Sequence, residues 1–117
     1  MYRHSGGRQI PSLRRSHPDP VVLLHPHTAS RLGISEGDWV FIETRQGRIK
    51  QKASLSGGLD PRVVVVDHAW WFPERGEELF GFVDSSYNVL TSDEPPFSRE
   101  IGSFVIRGLA CRISRQP

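Results

Sequence analysis

The sequence predicts a mainly β domain, a small closed barrel with one or two short helices and long loops, on three observations. Residues 48–55 alternate strictly: Ile49, Gln51, Ala53 and Leu55 oppose Arg48, Lys50, Lys52 and Ser54. That period of two is expected where one face of a sheet is buried and the other meets water. Two apolar runs, VVLL at 21–24 and RVVVV at 62–66, each follow a proline and stand among turn formers, the pattern of short strands. Glycine and proline are spread along the chain instead of clustered, so turns are frequent and strands short.

Taken in order, residues 1–18 (MYRHSGGRQIPSLRRSHP) have few apolar side chains and no clear periodicity. They read as an arm that needs another surface to lie against and is mobile without one. The domain proper is expected at 19–117. After the strand at 21–24, HPHTASRLGI carries one short helix around 29–32, with Thr28 as N-cap and Gly33 just past its end. Two strand-like segments then flank Gln46 and Gly47, which predicts a hairpin. The four valines favour a strand covered on both faces. Residues 67–100 lose all periodicity, and FVIRGLACRI at 104–113 reads as a closing strand.

Bulk properties exclude several classes of function. At 117 residues the chain suits one domain with its own core. The single cysteine, Cys111, cannot form an intrachain disulfide, and it reads as a small apolar residue of the core. No apolar run reaches the ~20 residues needed to cross a bilayer, so the chain reads as soluble, without direct membrane insertion. Any export signal of a longer parent would lie upstream. His17, His25 and His27 have no recognisable metal-ligand spacing, and no nucleophile elbow, G-x-G-x-x-G or P-loop occurs. No catalytic residue and no metal ligand is therefore assigned, and the isolated chain is expected to be inactive.

What remains is a binding surface. Thirteen of the fifteen basic residues are arginine, and the first eighteen positions hold Arg3, Arg8, Arg14 and Arg15 with no carboxylate. The planar guanidinium fork suits phosphate oxygens. The aromatic run AWWFP cannot place all its rings on one side, and it suits either a loop over its own barrel or a docking surface. Asp67 and His68 follow the four valines at a strand end, a common ligand position.

The segment HPHTASRLGISEGDWVFIETRQGRI resembles the molybdopterin dinucleotide-binding domain of the dimethyl sulfoxide reductase superfamily. The features carrying the likeness are Pro26, Ala29, Leu32 to Ile34, Gly37 and Asp38, the strand around 39–44, and Gly47. They continue through VVVVDHAWW, YNVLT at 87–91, Gly102 and the closing strand with Cys111, over about residues 2–113. The middle motif alone also resembles barrel-forming regulators of the AbrB type; the ordered set points to the first family. WWFPE is similar to a subgroup that includes acetylene hydratase and several anaerobic reductases.

The resemblance implies a double-psi β-barrel that binds part of a bis(molybdopterin guanine dinucleotide) cofactor carrying molybdenum or tungsten in a larger oxidoreductase. It implies cofactor contacts at Arg3, His4, Ser5, Arg8 and Gln9 on the arm, at His68 after the central strand, and at Asn88 of the asparagine-x-leucine-threonine motif. Asn88 and His68 are expected to share one rim, brought together by pairing of the valine and VLT segments. The implied partners are the remaining domains of a catalytic subunit and an iron–sulfur electron-transfer subunit, and no nucleic acid. The competing class is a free-standing barrel module, an AbrB-like regulator using its arginine arm on nucleic acid. An upstream reading frame with an iron–sulfur cysteine motif would separate the two.

Overall fold

The computed structural model describes residues 6–76, 78–103 and 108–117. Five strands, β1 (Val21–Leu24), β2 (Trp39–Glu43), β3 (Arg48–Leu55), β4 (Val65–Val66) and β5 (Arg112–Arg115), form one sheet in the order β4-β1-β3-β2-β5. The fold is mainly β with few short helices, as the sequence predicts. Among the described residues the ladder does not close on itself, so β4 and β5 are its edges.

The β2–β3 hairpin follows from its sequence. Thr44 donates its amide to Gly47 O at 2.9 Å across the turn, and Glu43 pairs with Arg48 in the antiparallel register. The alternation of β3 then places Ile49, Gln51 and Ala53 inside. β1 lies parallel to β3, with Val22 opposite Ala53, and this parallel pair requires the crossover that residues 25–38 begin. Helix α2 (Pro26–Arg31) in that crossover buries Ala29 on a core of Val22, Leu24, Ile34, Val40, Ile42, Ile49, Ala53 and Leu90. Complete burial of each large aliphatic side chain contributes roughly 1.5–3 kcal/mol.

The cap of α2 is His25 instead of Thr28: the His25 Nδ1 accepts the His27 amide at 3.1 Å. Pro26 can occupy the first helical turn because no hydrogen bond needs its missing N–H there, which moves the start forward. The end falls where predicted. Gly33 takes φ +66°, Gly33 N bonds Ser30 O at 3.2 Å, and Ile34 N bonds Ala29 O at 2.9 Å, a Schellman arrangement.

Other expectations are corrected. Only Val65 and Val66 of the valine run form a strand, and Val63 and Val65 remain 48% and 46% exposed. Among the described residues β4 is an edge that bonds β1 alone. The closing strand begins at Arg112, residues 104–107 lie outside the described residues, and Cys111 is exposed instead of in the core. YNVLT is a 3-10 turn at Tyr87–Leu90, not a strand partner of β4.

The arm finds its supporting surface in the same chain. Helix α1 (Pro11–Ser16) starts on Pro11, and Arg14 makes a two-pronged pair with Glu74 at 3.0 and 3.1 Å. His17 Nε2 lies 2.6 Å from Asp67 Oδ2, which also accepts the Val21 amide at 2.9 Å. Arg8 is only 2% exposed, its guanidinium 4.4 Å above the Trp70 ring. Trp70 is fully buried and Phe72 nearly so, which leaves Trp71 as the partly exposed ring of the run. A large aromatic face under two guanidinium groups supplies the apolar and cation–π attraction that the arm's own composition lacks.

Candidate cofactor-binding site

Two loops meet beyond the end of β4. The first runs from Asp67 to Phe72. Its turn bends at Ala69, whose φ of +42° is unfavourable for a residue with a Cβ, by about 1–2 kcal/mol. The bend is held on both sides: Arg8 Nη2 donates to His68 O at 2.9 Å, and the buried Trp70 follows. His68 is thereby turned outward and exposed.

The second loop joins helix α3 (Phe82–Ser85) to the 3-10 turn at Tyr87–Leu90. Val89 N bonds Ser86 O at 3.1 Å, and the Asn88 carbonyl accepts the Thr91 hydroxyl at 3.0 Å. Thr44 Oγ1 donates to Leu90 O at 2.8 Å, tying the turn to the hairpin. Asn88 is exposed beside Tyr87, whose ring centroid lies 5.0 Å from that of His68.

Below the His68–Tyr87 pair opens a cleft of about 530 Å³, walled by Val63 to Val66, Leu90, Thr91 and Leu109. Its lining is mostly apolar, with Thr44, His68, Tyr87 and Thr91 as its polar groups. Cys111 also faces it, and partial burial there raises the thiol pKa. Two hydroxyls close to this rim, Ser85 Oγ and Ser86 Oγ, are fully buried and have no hydrogen-bond partner among the described residues. Native structures seldom leave such groups unbonded.

The sequence-derived residues divide as follows. His68 and Asn88 stand on the two loops, and the ring of Tyr87, the residue before Asn88, lies 5.0 Å from that of His68. Arg8 contacts the first loop from behind, through the His68 carbonyl and Trp70. Gln9 is exposed and borders, with Arg8, Arg14 and Glu74, a shallow groove of about 620 Å³ beside the arm. Arg3, His4 and Ser5 lie outside the described residues. Among the described residues no group of three His, Cys, Asp or Glu side chains could hold a metal.

Sequence reading missed Tyr87, Ser85, Ser86 and Gln51. For Gln51 a signal existed: it is the one polar residue on the inward face of an alternating strand. The serines and Tyr87 lie where periodicity gives no direction.

A polar rim of imidazole, amide and hydroxyl groups beside an apolar wall fits a pterin, whose edge mixes donors and acceptors around a flat ring system. The comparisons with known proteins decide the family. The model of the molydopterin dinucleotide binding domain matches residues 1–102. This chain belongs to that family.

Dopamine dehydroxylase of Eggerthella lenta is 41% identical over 90 residues, covering 77% of this chain and 9% of that protein. Acetylene hydratase of Syntrophotalea acetylenica is 36% identical over 101 residues, covering 82% of this chain and 14% of that protein. The solved structure of acetylene hydratase from Pelobacter acetylenicus superimposes with a TM-score of 0.84 at 30% identity, over 96% of this chain and 16% of that one. The chain thus spans only a small part of the relatives it matches, and the superposition over 96% of it supports a barrel-like fold. The family match over residues 1–102 extends far beyond the leucine-glycine-isoleucine segment on which the AbrB-type alternative rested.

Proposed function

We propose that this domain holds one molybdopterin guanine dinucleotide of a bis(molybdopterin guanine dinucleotide) cofactor inside a larger molybdenum or tungsten oxidoreductase. The reading rests chiefly on the family match over residues 1–102, with the His68 ring 5.0 Å from that of Tyr87, the residue before Asn88. His68 and the Asn88 amide hydrogen-bond the pterin edge. Gln9 and the arm residues Arg3, His4 and Ser5 are assigned to the same cofactor from the family pattern. Arg8 sets the orientation of His68 and adds positive charge close to the dinucleotide phosphates.

The bound metal supplies the electron- or atom-transfer chemistry, and this chain supplies binding and orientation. Its partners in that reading are the other domains of a catalytic subunit and an iron–sulfur electron-transfer subunit. The test is cofactor retention. In an enzyme carrying this domain, His68→Ala and Asn88→Ala each remove about 1–3 kcal/mol of binding, a loss of retention of roughly five- to 150-fold, with the fold intact. Unchanged cofactor content in both variants refutes these contacts.

A further inference from the structure

Gln51 occupies the middle of β3, between Ile49 and Ala53 on the inward face, and is fully buried. An aliphatic residue would suit this core position better, because a buried amide without partners costs roughly 2–7 kcal/mol. Its partners are not in the sheet. Oε1 accepts the backbone N–H of Asp67 at 3.1 Å, and Nε2 donates to Ser85 O at 2.9 Å and to Asp67 O at 3.3 Å. The amide orientation is fixed, since Asp67 N can only donate and Ser85 O can only accept. Asp67 immediately precedes His68, and Ser85 lies just before Ser86, Tyr87 and Asn88. A single side chain thus bridges the two loops that form the rim, and it does so from the central strand of the sheet, paired with both β1 and β2.

We infer that Gln51 is a positioning residue for the cofactor site: its carboxamide sets the distance between the His68 loop and the Tyr87–Asn88 loop. It need not touch the cofactor to do so. This rests on the cofactor reading given above only for its consequence in binding; the loop spacing stands apart from it. Replacing the amide by an apolar group of similar size keeps the core filled and removes the bridge. The Ser85 carbonyl then loses this partner, and the two loops are free to separate.

The test uses the full 117-residue chain, with Gln51→Leu and Gln51→Glu, followed by NMR and by anaerobic titration with molybdopterin guanine dinucleotide. The wild-type chain shows a cross-relaxation contact between the His68 and Tyr87 rings. Gln51→Leu loses it, while the Phe41–Lys50 cross-strand contact of the hairpin persists, and its affinity for the dinucleotide falls at least tenfold. Gln51→Glu retains the ring contact while its carboxyl is protonated, because a neutral acid still offers one donor to Ser85 O and one acceptor to Asp67 N. It loses the contact on ionisation. A residue that merely filled space would give no such pH dependence.

Persistence of the ring contact in Gln51→Leu overturns the inference, as does its loss with unchanged dinucleotide affinity. Should Gln51→Leu fail to fold, the Gln51→Glu series decides, and a ring contact independent of pH overturns the inference. A wild-type chain that binds no dinucleotide yet shows the pH-dependent contact in Gln51→Glu overturns the cofactor reading and leaves the positioning by Gln51 supported.

Discussion

Arg8 donates a 2.9 Å hydrogen bond to the backbone carbonyl of His68, sixty positions later in the chain, while its guanidinium lies 4.4 Å over Trp70. The amino-terminal arm and the first site loop are therefore one structural unit. Arg8→Ala removes a charged hydrogen bond and a buried cation–π contact together, and is expected to destabilise the domain by about 2–4 kcal/mol. Arg8→Lys recovers only part of this, because a point-like ammonium cannot lie flat on the indole and bond the carbonyl at once. Urea unfolding of the three proteins measures the effect; equal midpoints would show that the arm contributes nothing to the fold.

Gly47 carries the second prediction. A Cβ on it would fall 2.8 Å from Val89 Cγ1 and 2.9 Å from Val89 O, and a backbone carbonyl cannot yield without moving the 3-10 turn that presents Asn88. Gly47→Ala is expected to destabilise by about 1–3 kcal/mol and to shift the Asn88 side-chain amide resonances. Unfolding midpoint and amide spectrum are read on the same sample, and an unperturbed Asn88 amide would contradict the close packing.

A third prediction concerns the turn that feeds β4. Asp60 accepts the Arg62 guanidinium and the Arg62 backbone N–H, and these bonds lower its pKa from 3.8 to about 2. Because the folded pKa is depressed, the stabilising contribution is complete above about 3.8 and is lost as pH falls toward 2. The carboxyl ¹³C shift of Asp60 should titrate near 2, and in Arg62→Ala, which keeps the backbone N–H, the midpoint should move up toward 3.8. A midpoint that does not move on loss of Arg62 would refute the pairing.

Sheet and hairpin were legible in the sequence because their signals are local. The alternation in β3 defines its buried face, and Gly33 and Gly47 mark ends that only their backbone freedom or small size permits. The closing of the arm onto Trp70 was not legible, since nothing near Arg8 announces a partner sixty residues away. The valine run misled for a related reason: four β-branched residues suit a buried strand, but only β1 lies beside them, so Val63 and Val65 face a cleft. His68 and Asn88 emerged from family resemblance, whereas the Tyr87 ring against His68 and the Gln51 bridge from Asp67 to Ser85 needed coordinates. The VLT segment does not pair with β4; a 3-10 turn there brings the Tyr87 ring to His68.

The central claim, that the rim formed by His68, Tyr87 and Asn88 is where the pterin dinucleotide lies, is tested most directly by mapping its binding on the 117-residue chain. Anaerobic addition of molybdopterin guanine dinucleotide to isotopically labelled protein should shift the resonances of His68, Ser86, Tyr87 and Asn88, with smaller changes at Arg8 and Gln9 and none along β5. Saturating shifts confined to the β5 edge at Arg112–Arg115, with the rim unmoved, would contradict the account.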